Sequence, residues 1–495
     1  MSHPDPDRLH PSDLALLAVG SASWPLNVMA QNLAALPHPE RIVALIAALL
    51  ATSILVTHGL LRLGADRLTA VRSVFLGFVV ALGAGRVFDD SNGAIALLAS
   101  AGVVVLATVL FSRLRGSLVV GPLIAGLAVA MATGPAVGLI TNLGTFGAEE
   151  TQAPALLDLD LKTTPDIYVV VLDGYPGLLT MQKDFGDSKE SLVAALEASG
   201  FQVPSSAWSA YPITDLSIPS VLQMSYPVVV PGGGEDIRRE LYEIISGTNV
   251  LVMALRQAGY TSYMIESGWS GSSCGSSIDQ CVVSPLLDEA SFLILSGTVV
   301  APFVTAANHP FTAGTENTMS WLMDNAGRLT DDGEPSLVLA HLIAPHPPFY
   351  LDKECDRIVD PDRNPPFVTE GTKPFFLEQM GCIDSFMLKL ADAVGPETVV
   401  VFVADHGTAG RHQMNTEATK WDHDDLAERM NVFTAIKVGD DCDIGDRLLN
   451  PNVMRRVLSC LNSGPLPDLG NRMFKPGVIE VAHAEVESLL GDVDP

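Results

Sequence analysis

The segment DIYVVVLD, residues 166–173, decides how the rest of the chain reads. Six apolar residues, three of them valines, run unbroken between two acids. A strand with one wet face would alternate apolar and polar residues, so a run apolar on both faces belongs in a parallel sheet covered on both sides. Working outward, TSYMIES (261–267), SLVLAHLIAPH (336–346) and TVVVFVAD (398–405) read as further buried strands. Helical patterns lie between them, near 188–199, 215–224, 249–258 and 373–394. Strands alternating with helices, with no internal repeat, predict an α/β domain with a doubly wound, mostly parallel sheet. In such sheets the site lies beyond the carboxyl ends of the strands. Three of the strands end in polar chemistry: at Asp173, at His346 and at Asp405–His406.

Asp173, Asp405 and His406 together offer two carboxylates and an imidazole, a donor set suited to Mn²⁺, Mg²⁺ or Zn²⁺. Alone, Asp173 reads equally as the cap of the next element. The segment SAYPITDLSIPSVLQM (209–224) runs from loop into helix, with Asp215 read as its N-cap and Thr214 beside it. A helix start favours an anion through its unpaired N–H groups and dipole. Thr214 there is either a nucleophile held at a metal or a cap with no chemistry. His346, just before Pro347 and Pro348, is placed to face the site, whereas His341 within the strand reads as a core residue. Trp269 lines a headgroup pocket or plugs a loop, and His412 and His423 sit in a polar loop after the DHG motif.

The first 140 residues have another character. Five apolar stretches, Leu14–Leu36, Ile42–Leu61, Leu68–Phe88, Ala94–Phe111 and Ser117–Ile140, each come near the ~20 residues that cross a bilayer as a helix. The positive connections carry Arg62, Arg67 and Arg72, and Arg113 and Arg115, which places them and the N-terminus in the cytoplasm. Five crossings then put the rest of the chain outside the cell membrane. The expected division is a transmembrane domain at 1–140, a linker at 141–164, a catalytic domain at 165–480 and a tail at 481–495.

Charge and cysteines divide the chain at the same place. The whole carries a net charge of −28, yet residues 1–150 hold eight Arg against nine acids, so nearly all the surplus lies beyond them. So acidic a surface repels nucleic acid. The six cysteines, Cys274, Cys281, Cys355, Cys382, Cys442 and Cys460, all lie in the second part. An even set confined to one domain reads as disulfides in an oxidising compartment. Short loops close most readily, which predicts the sequential pairs 274–281, 355–382 and 442–460.

Five segments, DIYVVVLDGYPG, SAYPITDLSIPS, GYTSYMIESGW, HLIAPHPPF and VVVFVADHG, resemble in order and spacing the sulfatase-like branch of the alkaline phosphatase superfamily, in particular lipoteichoic acid synthase-type membrane phosphotransferases. The resemblance covers about residues 165–475 and implies an α/β/α domain behind a five-helix membrane anchor. It implies that Asp173, Thr214, Asp405 and His406 hold one divalent cation, usually Mn²⁺, with Thr214 as nucleophile and His346 on the substrate. The function implied is transfer of a phosphoglycerol or phosphoethanolamine headgroup from a membrane lipid to an envelope glycan or lipid. The alternatives are a phosphodiesterase or phosphatase using the same site, or an inactive membrane scaffold. Two features depart from the family. The first acid is Asp where Glu is common, and Thr214-Asp215-Leu216-Ser217-Ile218 stands where sulfatases carry C/S-x-P-x-R, which argues against sulfate ester hydrolysis.

Overall fold

Seven strands form the central sheet, and the length of each apolar run sets the length of its strand. In chain order they are β1 (Ile167–Leu172), β2 (Phe201–Gln202), β3 (Thr261–Ile265), β4 (Gln280–Val282), β5 (Ser336–Leu342), β6 (Val399–Ala404) and β7 (Thr434–Lys437). The computed structural model that shows them describes residues 9–31, 36, 38–83, 93–114, 117–143, 157–227, 234–283, 287–298, 304, 309–327, 329, 333–365, 367–411, 413–439 and 441–491. It divides into two compact units, residues 1–150 with 287–309, and residues 151–286 with 310–495.

In the second unit the strand order is β2-β7-β6-β1-β5-β3-β4. Strands β4, β3, β5, β1 and β6 pair in parallel, while β7 and β2 close the edge antiparallel. Every residue of β1, β5 and β6 is buried, as the uninterrupted apolar runs require. The two-residue period of a strand then sorts β1 into two cores. Tyr168, Val170 and Leu172 pack with Met380, Ile383 and Met387 of the helix Lys373–Ala393. Ile167, Val169 and Val171 pack with Ile218 and Val221 of the helix Thr214–Leu222, and with Leu251 and Leu255 of the helix Val250–Gln257. Helices on both faces make three layers, and each buried aliphatic side chain contributes roughly 1.5–3 kcal/mol. The antiparallel edge was not legible, because β7 and β2 are only 4 and 2 residues long.

Register places the ends of three strands side by side. Leu172 of β1 lies opposite Leu342 of β5 and Ala404 of β6, so the chain beyond each emerges at one rim. Three disulfides join Cys274–Cys281, Cys355–Cys382 and Cys442–Cys460, the sequential pairing. The segment expected to be a tail instead forms the helix His483–Gly491, which buries Val486, Leu489 and Leu490.

The first unit has a helix at each of the five apolar stretches: α1 (Pro11–Gln31), α2 (Pro39–Arg62), α3 (Arg67–Gly83), α4 (Gly93–Arg113) and α5 (Val120–Leu143). Among the described residues only two, Pro39–Arg62 and Val120–Val137, combine the length and apolarity of a membrane span. That is fewer than the five expected: Pro25 and polar residues interrupt α1, and α3 has 17 residues with Arg67 and Arg72. The surface is nonetheless apolar. All but three of the large apolar side chains exposed in the described chain belong to this unit, the exceptions being Val283, Val359 and Ile479. Helix hydroxyls bond back to their own helix, Ser21 to Leu17 O at 2.8 Å, Thr57 to Ser53 O at 2.8 Å and Ser73 to Thr69 O at 2.7 Å. Small residues bring helices together: a Cβ on Gly77 of α3 would lie 2.4 Å from Val104 Cγ2 of α4.

The sequence division assigned all of 165–480 to one domain. The structure instead groups residues 287–309 with the helices of the first unit.

Candidate active site

Beyond β1, Asp173 donates its backbone N–H to Leu342 O (2.9 Å) and accepts that of His346 on its own carbonyl (2.9 Å). The backbone then turns at Gly174, whose φ of +72° a side chain would strain. This turn aims the Gly174 N–H at Asp405 Oδ1 (3.0 Å), which also accepts the His406 N–H (2.8 Å). One oxygen of Asp405 is thus held by two amides. Its Oδ2 is buried and has no hydrogen-bond partner, and neither does Asp173 Oδ1.

Thr214 is the first residue of its helix, and the N-cap is Ile213, with no side-chain cap. This corrects the assignment of Asp215 as the cap. Thr214 does not cap the helix either, so its hydroxyl is left for other contacts. Its Oγ1 lies 3.1 Å from His406 Nε2. Three residues on, Ser217 donates to Asp405 O (2.6 Å), and Asn450 donates to both Ser217 Oγ (3.2 Å) and Ala404 O (3.0 Å). This clip fixes the threonine helix to the end of β6.

His406 donates Nδ1–H to Gly407 O (3.0 Å), which turns the lone pair of Nε2 toward the acids. Nε2 stands 3.6 Å from Asp173 Oδ1 and 3.4 Å from Asp405 Oδ2. Two bare carboxylates buried this deeply would cost several kcal/mol without a cation between them. Burial and the neighbouring Asp173 charge push Asp405 well above the usual carboxylate range. Burial also pushes Asp173 up, but the facing His346 and His341 outweigh it and hold that carboxyl low. Burial, with the Arg429 charge, holds His406 well below an ordinary histidine, so its imidazole is neutral and can donate a lone pair. Orphaned Asp173 Oδ1, orphaned Asp405 Oδ2, His406 Nε2 and Thr214 Oγ1 therefore fit one divalent cation.

A cavity of about 170 Å³ opens beside this cluster, lined by Gly174, His346, Phe367, Phe376, His406, Thr408, Met414 and Arg429. His346 ties Nδ1 to Pro347 O (2.7 Å), which leaves Nε2 for a ligand in the cavity, and its ring centroid is 6.4 Å from that of His406. Arg429, on the helix His423–Met430, donates Nε–H to Pro212 O and an Nη1–H to Gly407 O, both at 2.7 Å. It straps the loop before Thr214 to the loop after His406 and brings a positive charge to the cavity wall.

No family model matches the chain, and no curated protein matches it in sequence. Solved structures do. The integral membrane lipooligosaccharide phosphoethanolamine transferase A of Neisseria meningitidis is 12% identical with a TM-score of 0.41, the match covering 87% of this chain and 76% of that one. The C-terminal periplasmic domain of EptC from Escherichia coli, in complex with Zn, is 12% identical with a TM-score of 0.39, covering 62% of this chain and 87% of that one. The lipoteichoic acid synthase LtaP from Listeria monocytogenes is 10% identical with a TM-score of 0.37, covering 67% and 92%. At such identities and scores, the activity of this chain has to be read from its own site.

Of the residues singled out in the sequence, Asp173, Thr214, Asp405 and His406 meet at one point, and His346 lines the adjoining cavity. Trp269 packs edge-on against His341 (5.7 Å) and Tyr242 (5.6 Å), in the apolar layer rather than the cavity wall. His412 lies outside the described residues. His423 bonds Glu485 at 2.7 Å, away from the cluster. Sequence reading passed over three contributors. His341, read as a core residue, holds Ser272 Oγ at 2.7 Å and stands 3.4 Å from Asp173 Oδ2, so it buttresses a cluster acid. Its one signal was a polar residue within an apolar strand. Arg429 and the Ser217–Asn450 clip had none, because their partners are distant in sequence.

Proposed function

We propose that the chain is a metal-dependent membrane phosphotransferase that moves a phospho-headgroup, phosphoglycerol or phosphoethanolamine, from a lipid to an envelope glycan or lipid through phospho-Thr214. The observation that carries this reading is the uncapped Thr214 hydroxyl, held 3.1 Å from His406 Nε2 beside two orphaned carboxylate oxygens. Asp173, Asp405 and His406 would hold a divalent cation, Mn²⁺ by the family resemblance, with Thr214 as the fourth donor. When bound, the cation lowers the hydroxyl pKa and offsets charge on the phosphoryl oxygens. Thr214 gives its proton to solvent, and Oγ1 attacks phosphorus as the bond from phosphorus to the lipid alkoxide oxygen breaks. The first-turn N–H groups of its helix face the developing charge. His346 and Arg429 steady the other phosphoryl oxygens from the cavity wall, and His346 protonates the departing alcohol. In the second half an acceptor hydroxyl gives its proton to His346 and attacks phospho-Thr214, the phosphorus–Oγ1 bond breaks, and the threonine oxygen regains a proton from solvent. The three disulfides support placing the catalytic unit outside the cytoplasm.

The test is incubation of the full-length protein and Mn²⁺ with headgroup-labelled phosphatidylglycerol or phosphatidylethanolamine. Label recovered on a glycan or lipid, and on Thr214 after a rapid quench, is the expected result. Label released into water makes the protein a hydrolase, and label that stays on the donor overturns the proposal.

A further inference from the structure

The helix Glu289–Ser296 interrupts the catalytic unit in sequence but packs with the first unit. Ala290 and Ile294 close a core with Val28 of α1 and Ile42 of α2. At one end, Asp288 caps the helix by accepting the Ser291 N–H (2.8 Å) and lies 3.5 Å from Arg41, which is near the start of α2. At the other end, Trp24 donates its indole N–H to Ile294 O (3.2 Å), and a Cβ on Gly297 would lie 2.9 Å from that ring. Trp24 precedes the last residue of α1, Gln31, by about two helical turns, or ~10 Å at 1.5 Å per residue. The helix therefore starts among charged groups at the edge of the bundle and descends along its apolar wall.

At its far end, three of the last four carbonyls find partners. The last carbonyls of a helix have no partner in the helix, and in lipid no water supplies one. Here Leu293 O accepts Gly297 N–H (3.3 Å) and Ser296 Oγ–H (3.2 Å). Ile294 O accepts Trp24, and Leu295 O accepts both the N–H (3.0 Å) and the hydroxyl (2.8 Å) of Thr298. Leu293 meanwhile turns outward, 47% exposed, continuous in kind with the exposed apolar faces of α1–α5. From Ala290 to Asn308 the sequence carries no charge.

We propose that Glu289–Ser296 is a membrane-dipping helix, which enters the acyl-chain region beside α1 and α2 and presents Leu293 to lipid. The chain thus leaves the catalytic unit, touches the bilayer and returns, giving that unit a membrane attachment beyond its N-terminal linker. The experiment reads lipid contact, not activity, so its outcome is independent of the phosphotransferase reading. Full-length protein is placed in phosphatidylglycerol–phosphatidylcholine nanodiscs with a spin label on Leu293→Cys, and collisions with oxygen and with an aqueous nickel chelate are compared. Val43→Cys on α2, where the native side chain is 58% exposed, is the lipid reference, and exposed Ser463→Cys is the water reference. Oxygen collisions dominating at Leu293 as at Val43 are expected. Nickel dominance as at Ser463 overturns the proposal, and so does shielding from both reagents, which would mean protein covers the site. Should Leu293→Cys fail to yield a monodisperse protein, Ser296→Cys is judged by the same comparison.

Discussion

Thr214 stands at the first position of its helix without capping it, so removing its hydroxyl separates chemistry from stability. Thr214→Ala is expected to lose several orders of magnitude in single-turnover transfer while keeping its unfolding midpoint. A folded variant with near-normal turnover would rule out the covalent route. Asp405→Ala and His406→Ala should instead lose bound metal, measured on the same samples, because each removes a donor and leaves a buried partner uncompensated. Arg429 poses a different question, since its guanidinium joins Pro212 O to Gly407 O in a buried setting. Arg429→Ala strands two carbonyls, and about 2–4 kcal/mol of stability should go with it. Arg429→Lys keeps the charge but cannot span both carbonyls, so denaturant titration should find it intermediate. If Arg429→Ala unfolds at the native midpoint, the strap is not structural. The clustered acids Asp173 and Asp405 were legible because each ends an apolar strand, where a charge is conspicuous. Arg429 was not, because nothing local distinguishes it from a surface arginine on a polar helix.

Among the elements, the disulfides show how far local sequence reaches. The Cys274–Cys281 link closes a separation of 7 residues and Cys355–Cys382 one of 27. On the chain-entropy account, the longer loop restrains the unfolded chain by roughly 3.5 kcal/mol and the shorter by roughly 2.3. Replacing Cys355 and Cys382 together by alanine should therefore lower stability more than replacing Cys274 and Cys281, as measured by chemical denaturation. Cys382 adds to this, because it is fully buried on the helix Lys373–Ala393, against the central sheet. Equal losses from both double variants would refute the ordering. The strands were equally readable, since a both-faces-apolar run has few other places to go. The N-terminal helices were readable as helices, but only two keep a span's length and apolarity within the described residues.

The whole molecule joins a nearly neutral N-terminal part to a strongly acidic second part. By the positive-inside rule, its arginine-bearing connections are expected on the cytoplasmic side. A reporter active only in the cytoplasm should thus be silent when fused after Pro495 and active when fused within 62–72. Activity at the C-terminal fusion would reverse the topology and leave three disulfides in a reducing compartment. By itself the sequence determined the α/β class, the apolar N-terminal part, the cysteine pairing and the acids and histidines at strand ends. Each of these is written in runs of a few neighbouring residues, where periodicity, charge and loop length act. Only the tertiary structure decided that Asp173 and Asp405, some 230 residues apart, leave their orphaned oxygens facing one imidazole. It alone gave the Ser217 clip, the Arg429 strap and the membership of Glu289–Ser296 in the first unit. These contacts follow from which strand lies beside which and which wall an apolar helix meets, and long-range packing settles such choices after every local preference has been met.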